Sequence, residues 1–124
     1  MAEKKRKRKA NKLVRGIELP ENGQVTVGEI GVDAGLCWIG DPCYVFHKNG
    51  EYEGDTVPKA LGKSWKEFCD ALFATGEHNA YQFSYDMGHD GLGVAVSTGY
   101  GDGCYPVIVT MKDGRVRKVE VKFF

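Results

Sequence analysis

Apolar and polar positions alternate with a period of two over most of this chain and switch to a helical period once. Val25 and Val27, then Ile30 and Val32, predict a first strand, bent or bulged near Gly28, where the alternation slips. It follows Pro20-Glu21-Asn22-Gly23, which has turn chemistry. Leu36-Cys37-Trp38-Ile39 is a short apolar run stopped by Gly40-Asp41-Pro42, and Cys43-Tyr44-Val45-Phe46 is expected to resume extended structure. The stretch from His47 to Lys63 is polar and Gly-bearing and reads as a loop. Tyr81, Phe83 and Tyr85 alternate with Gln82 and Ser84 as on a half-buried strand, Asp86 to Gly91 reads as a turn, and Leu92 to Thr98 as the next strand. Tyr105 to Met111 and Val116 to Phe124 flank Lys112-Asp113-Gly114-Arg115, whose Asp-Gly pair supplies the positive φ angles of a type I′ hairpin. Pro106 has no N–H for a ladder, so its strand is expected to lie at an edge there or to begin late.

The helical period starts at Ser64. Ser64 and Glu67 make a capping box, each side chain taking up a backbone N–H that the first turn leaves free. Trp65, Phe68, Cys69, Leu72 and Phe73 then form one apolar stripe, and Gly76 stands where a left-handed C-terminal cap belongs. The stripe should lie on a sheet, with Lys66 and Asp70 facing water. Six or seven strands with one amphipathic helix, over about residues 64–75, predict an α+β domain: a mainly antiparallel β-sheet or a small sandwich.

Composition fits that picture and adds an asymmetry. At 124 residues, 42% hydrophobic and 27% charged, the chain has the size and balance of one soluble globular domain. No apolar stretch approaches the roughly 20 residues that cross a bilayer, and no apolar segment follows the basic N-terminus as a secretory signal requires. The formal net charge of zero conceals two opposed parts. Lys4, Lys5, Arg6, Lys7, Arg8, Lys9 and Lys12 against Glu3 give the first twelve residues +6, and the other 112 residues carry 10 basic and 16 acidic side chains. A like-charged block of this density repels itself and buries nothing. Residues 1–12 are therefore expected to be a disordered basic arm, and residues 13–124 a single β-rich domain. Those seven cations are the candidate contacts for nucleic acid or an acidic protein, sequence-blind because no aromatic residue interleaves with them. The alternative is a solubilising tail. Cytoplasmic residence is expected, or nuclear in a eukaryotic host, where such a block reads as a localisation signal.

The polar chemistry gathers in a repeat. Gly40-Asp41-Pro42-Cys43-Tyr44 recurs as Gly101-Asp102-Gly103-Cys104-Tyr105. Each copy puts a turn-forming pair ahead of an aromatic and β-branched run, bringing a carboxylate, a thiol and a phenol together. If the two turns sit side by side at one end of the sheet, Asp41, Cys43, Tyr44, Tyr100, Asp102, Cys104 and Tyr105 line one ligand-binding pocket. The architectural alternative spends the same side chains on the turns themselves. The glycines around Tyr100 could approach a phosphate, but no Gly-Lys-Ser/Thr follows as in a P-loop. Asp33, Asp41, Asp86, Asp90 and Asp102 occupy turns without the spacing of an EF-hand, so no metal and no cofactor are expected. Cys37, Cys43, Cys69 and Cys104 form no C-x-x-C pair and read as structural thiols.

Val32-Asp33-Ala34-Gly35, Gly40-Asp41-Pro42-Cys43-Tyr44, Gly99-Tyr100-Gly101-Asp102-Gly103-Cys104-Tyr105-Pro106-Val107 and the closing Val119-Glu120-Val121-Lys122-Phe123 resemble a group of small uncharacterised β-rich bacterial and phage proteins. Members of that group pair an early "VD-x-G…DP" segment with a late "GDG-x-YPV" segment. The resemblance covers about residues 25–124, excludes the arm, and implies a β-rich fold of unknown function with no activity to carry over. The function expected from the residues is a non-enzymatic binding module with an electrostatic arm. The alternative is a small hydrolase with Cys43 or Cys104 as nucleophile, His89 as base, and Asp90 or Asp102 orienting it.

Overall fold

A computed structural model of the chain describes residues 14–46, 61–62, 64–85 and 88–124. The basic arm of residues 1–12, Asp86, and the loop expected from His47 onward, apart from Leu61 and Gly62, lie outside the described residues. Among the described residues six strands and two helices follow in the order β1 (Gly23–Val32), β2 (Leu36–Ile39), α1 (Cys43–Phe46), α2 (Trp65–Phe73), β3 (Ala80–Ser84), β4 (Asp90–Ser97), β5 (Gly103–Lys112) and β6 (Arg115–Val121). The fold is a small α+β architecture of mostly antiparallel sheets. No helix among the described residues is long and apolar enough to cross a membrane.

The described residues form two compact units. The first takes the chain up to Ile30 together with Cys104–Phe124, and the second is Gly31–Gly103. In the first, the strand order is β1-β5-β6. The β5–β6 hairpin closes through Lys112↔Arg115, with Asp113 at φ 52° and Gly114 at φ 74°, as a type I′ turn requires. Asn22 and Glu21 hold its tip, accepting the Asp113 and Gly114 N–H groups at 3.1 and 2.9 Å. Tyr105, Val109 and Met111 bury the same face of β5 with period two. β5 is the middle strand, not the edge that Pro106 suggested. The proline is accommodated because registered pairing with β6 begins one residue later, at Val107↔Val121, and its carbonyl accepts the Lys122 N–H at 3.3 Å.

In the second unit β4 pairs antiparallel with both β2 and β3, giving the order β2-β4-β3. Leu72, Phe83, Leu92 and Ala95 form the buried core, with Trp38, Leu61, Phe68 and Tyr81 packed against it. The α2 cap is as expected: Ser64 Oγ accepts the Glu67 N–H at 3.2 Å, and Gly76 turns the exit at φ 93°. Lys66 and Asp70 pair at 2.8 Å in the open. The stripe is only partly used, since Leu72 is buried whereas Trp65 is 60% exposed and Phe73 77%.

One predicted element changes type. Residues 43–46 are a helical turn, not a strand. Asp41 caps it, its Oδ1 accepting the Cys43 N–H at 3.0 Å and its carbonyl the Tyr44 N–H at 3.1 Å. Pro42 follows the cap, where a fixed φ favours a helix start and the missing N–H costs nothing. The same Asp-Pro pair serves a turn or a helix entry, and here it opens the helix.

Candidate functional site

Within the second unit the turns that carry Asp41 and Asp102 lie at opposite ends of one ladder. β2 runs antiparallel to β4 with Leu36 opposite Ser97 and Ile39 opposite Val94. Residues 40–44 therefore leave the ladder at one end and residues 98–102 at the other. Cys104 and Tyr105 belong to the first unit. There Cys104 is exposed at the start of β5, and buried Tyr105 packs edge-on against Phe123 at 5.4 Å. The joint pocket expected from Asp41 and Asp102 is corrected accordingly: register between strands distant in sequence, which no local motif encodes, sets them apart.

Each turn has its own hydrogen bonds. Asp102 Oδ1 accepts the Gly35 N–H at 3.0 Å, tying the residue 98–102 turn to the β1–β2 loop. Thr98, 1% exposed, donates its hydroxyl to the Gly101 carbonyl at 2.8 Å, and its N–H to the Gly35 carbonyl at 2.9 Å. Tyr100 is 75% exposed. At the other end the Tyr44 ring meets Tyr85 edge-on at 5.1 Å. The hydrogen bond with Tyr44, desolvation, and the charges of Tyr44, Asp41 and Cys43 push the Tyr85 phenol up to about 12. Desolvation, then the hydrogen bond and negative charge of Asp41, push the Cys43 thiol up as well.

Cys43 lies in the first turn of α1, yet desolvation and the Asp41 carboxylate disfavour its thiolate, the form that nucleophilic chemistry needs. Asp90, a candidate orienting group, accepts the Ser84 hydroxyl at 2.8 Å. Among the described residues no three His, Cys, Asp or Glu side chains gather as a metal site. The Asp41–Cys43 contact has a direct test. Asp41→Asn keeps a good cap but removes the charge, so alkylation of Cys43 at pH 8, followed residue by residue by mass spectrometry, should be faster in the variant. An unchanged rate would show that Asp41 does not hold the thiol protonated.

The concave feature lies elsewhere in the second unit. A groove of about 610 Å³ is lined by Leu36 and Trp38 of β2, Val45 of α1, Leu61, and Trp65 and Phe68 of α2, with Asp33 and Ser64 among its few polar side chains. Its aromatic wall is built in steps: Phe68 stacks on Phe83 at 5.3 Å and 5°, Trp65 on Phe68 at 5.5 Å and 21°, and Trp38 stands edge-on to Phe68 at 6.3 Å. Trp38 occupies its place because Gly93 has no side chain. A Cβ there would lie 2.1 Å from Trp38 Cζ2. Cys37 lines the groove too, and burial pushes its thiol up.

Sequence reasoning missed this groove, although both tryptophans of the chain lie in it. Gly93, set between Leu92 and Val94 inside a strand, was the available signal, since such a glycine marks close approach of another group.

The chain belongs to the family described as "Protein of unknown function (DUF4241)", whose model matches residues 19–120 and so draws on both units. No curated protein and no solved structure matches it.

Proposed function

We propose that this family member is a binding module whose site is the aromatic groove of the second unit, occupied by a small organic ligand. The observation that carries this reading is the groove itself, about 610 Å³ with an almost wholly apolar wall and a few polar groups at its margin. Small-molecule sites typically enclose about 300–1,000 Å³ with that mixture of lining. Trp65, 60% exposed on an amphipathic helix, presents apolar surface that a ligand would remove from water. At Cys43 the hydrolase alternative finds less support, because desolvation and Asp41 push that thiol up.

The two tryptophans make the test specific, as both line the groove. Titration with the uncharged dye N-phenyl-1-naphthylamine should give saturable energy transfer from tryptophan and shield both indoles from acrylamide. A dye that leaves tryptophan emission and quenching unchanged would remove the groove as a binding site.

The arm supports a second, separable interaction, because seven cations within residues 4–12 release counterions when they meet phosphates. We propose that it attaches the protein to nucleic acid or another polyanion. Duplex DNA binding should fall with salt, with a log–log slope of up to about −6 if all seven engage. Truncation of residues 1–12 should abolish it. Equal binding by the truncated chain would exclude the arm as the contact.

A further inference from the structure

We propose that the groove ligand is an organic cation, an ammonium group carried on an aromatic or branched aliphatic body. This deepens the reading of the groove as a small-molecule site and rests on it. Among the described residues Asp33 is the one charged side chain in the lining, and no described basic residue is present there. It projects from the short β1–β2 loop, exposed, and no described residue pairs with its carboxylate. Apart from Ser64 and Cys37, the other described side chains of the lining are apolar or aromatic.

The aromatic residues add a second source of the same preference. Trp38 and Phe68 meet at 69°, forming a corner, and Trp65 extends it along α2. Aromatic faces carry partial negative charge and attract cations within about 6 Å of the ring centre, tryptophan most strongly. A neutral ligand would gain only from burying apolar surface, and an anion would meet both the π faces and Asp33. The excess of 16 acidic over 10 basic residues beyond the arm acts in the same direction at longer range.

Charge can be separated from shape with an isosteric pair. Benzyltrimethylammonium and neopentylbenzene differ in one atom, nitrogen for carbon, and in one unit of charge. Each would displace N-phenyl-1-naphthylamine from the full chain, with tryptophan emission as the readout. The cation is expected to bind about 5- to 30-fold more tightly, the range for a cation on an aromatic face. Asp33→Asn, an exposed loop change compatible with folding, should lose most of that factor and bind neopentylbenzene unchanged. Trp65→Leu, which keeps an apolar wall without the π face, should also narrow it. Equal binding of the two compounds overturns the proposal while leaving the groove as a ligand site, and so does a preference that survives intact in both variants. A dye that never binds in the first place removes the groove reading itself.

Discussion

Gly93→Ala should destabilise the second unit by about 3 kcal/mol, the upper part of the range for overpacking. The added methyl would sit 2.1 Å from Trp38 Cζ2 and 2.5 Å from Cη2, far inside van der Waals contact. Neither partner has an easy retreat. Gly93 is buried in the central strand β4 and paired with Phe83 of β3, while Trp38 is paired with Ala95 and stands edge-on to Phe83 at 5.3 Å. The indole must leave its place, and the groove loses one wall. Urea denaturation followed by far-UV circular dichroism measures the cost. A double-mutant cycle assigns it: with Trp38→Ala in the background, alanine at 93 has room. The pair should then cost less than the sum of the single changes by about 1–3 kcal/mol. Additive costs would show that the Trp38–Gly93 contact is not what fixes the site.

The parts of this structure that sequence made legible are those set by neighbours in the chain. The Ser64–Glu67 cap and Gly76 exit delimit α2, and Asp113-Gly114 makes the hairpin, because each depends on backbone angles and hydrogen bonds within a few residues. Asp41-Pro42 shows the limit even there, since a turn and a helix start use the same two residue types. The relation between the repeated turns depended instead on β2–β4 register. That register follows from which face each strand buries and reverses the ends of the two strands relative to the motifs. The groove was least legible. It needs Trp38 from β2, Phe68 from α2 and an empty position at Gly93 in β4, three facts that acquire meaning only when the elements pack. The helical stripe pointed to burial of Trp65 and Phe73. Their exposure is the departure from that pattern.

Phe83→Ala should be the most damaging single change in the second unit, costing about 3–5 kcal/mol as expected for truncating a buried phenylalanine. Phe83 is 7% exposed, pairs with Gly93 in the ladder, and contacts two of the three groove aromatics: Phe68 face to face at 5.3 Å, and Trp38 edge-on at the same distance. Truncation removes apolar contacts and leaves a cavity beneath the wall, so Phe68 and Trp38 lose their common support. Stability and binding should therefore fall together, with the urea midpoint lowered and N-phenyl-1-naphthylamine affinity reduced even under conditions where the variant remains folded. Phe83→Leu, which refills most of the space without a flat ring, should recover much of the stability but less of the binding, because Phe68 would have lost one of its two stacking partners. Full recovery of dye affinity in the leucine variant would mean that the groove needs volume under Phe68 and not an aromatic ring.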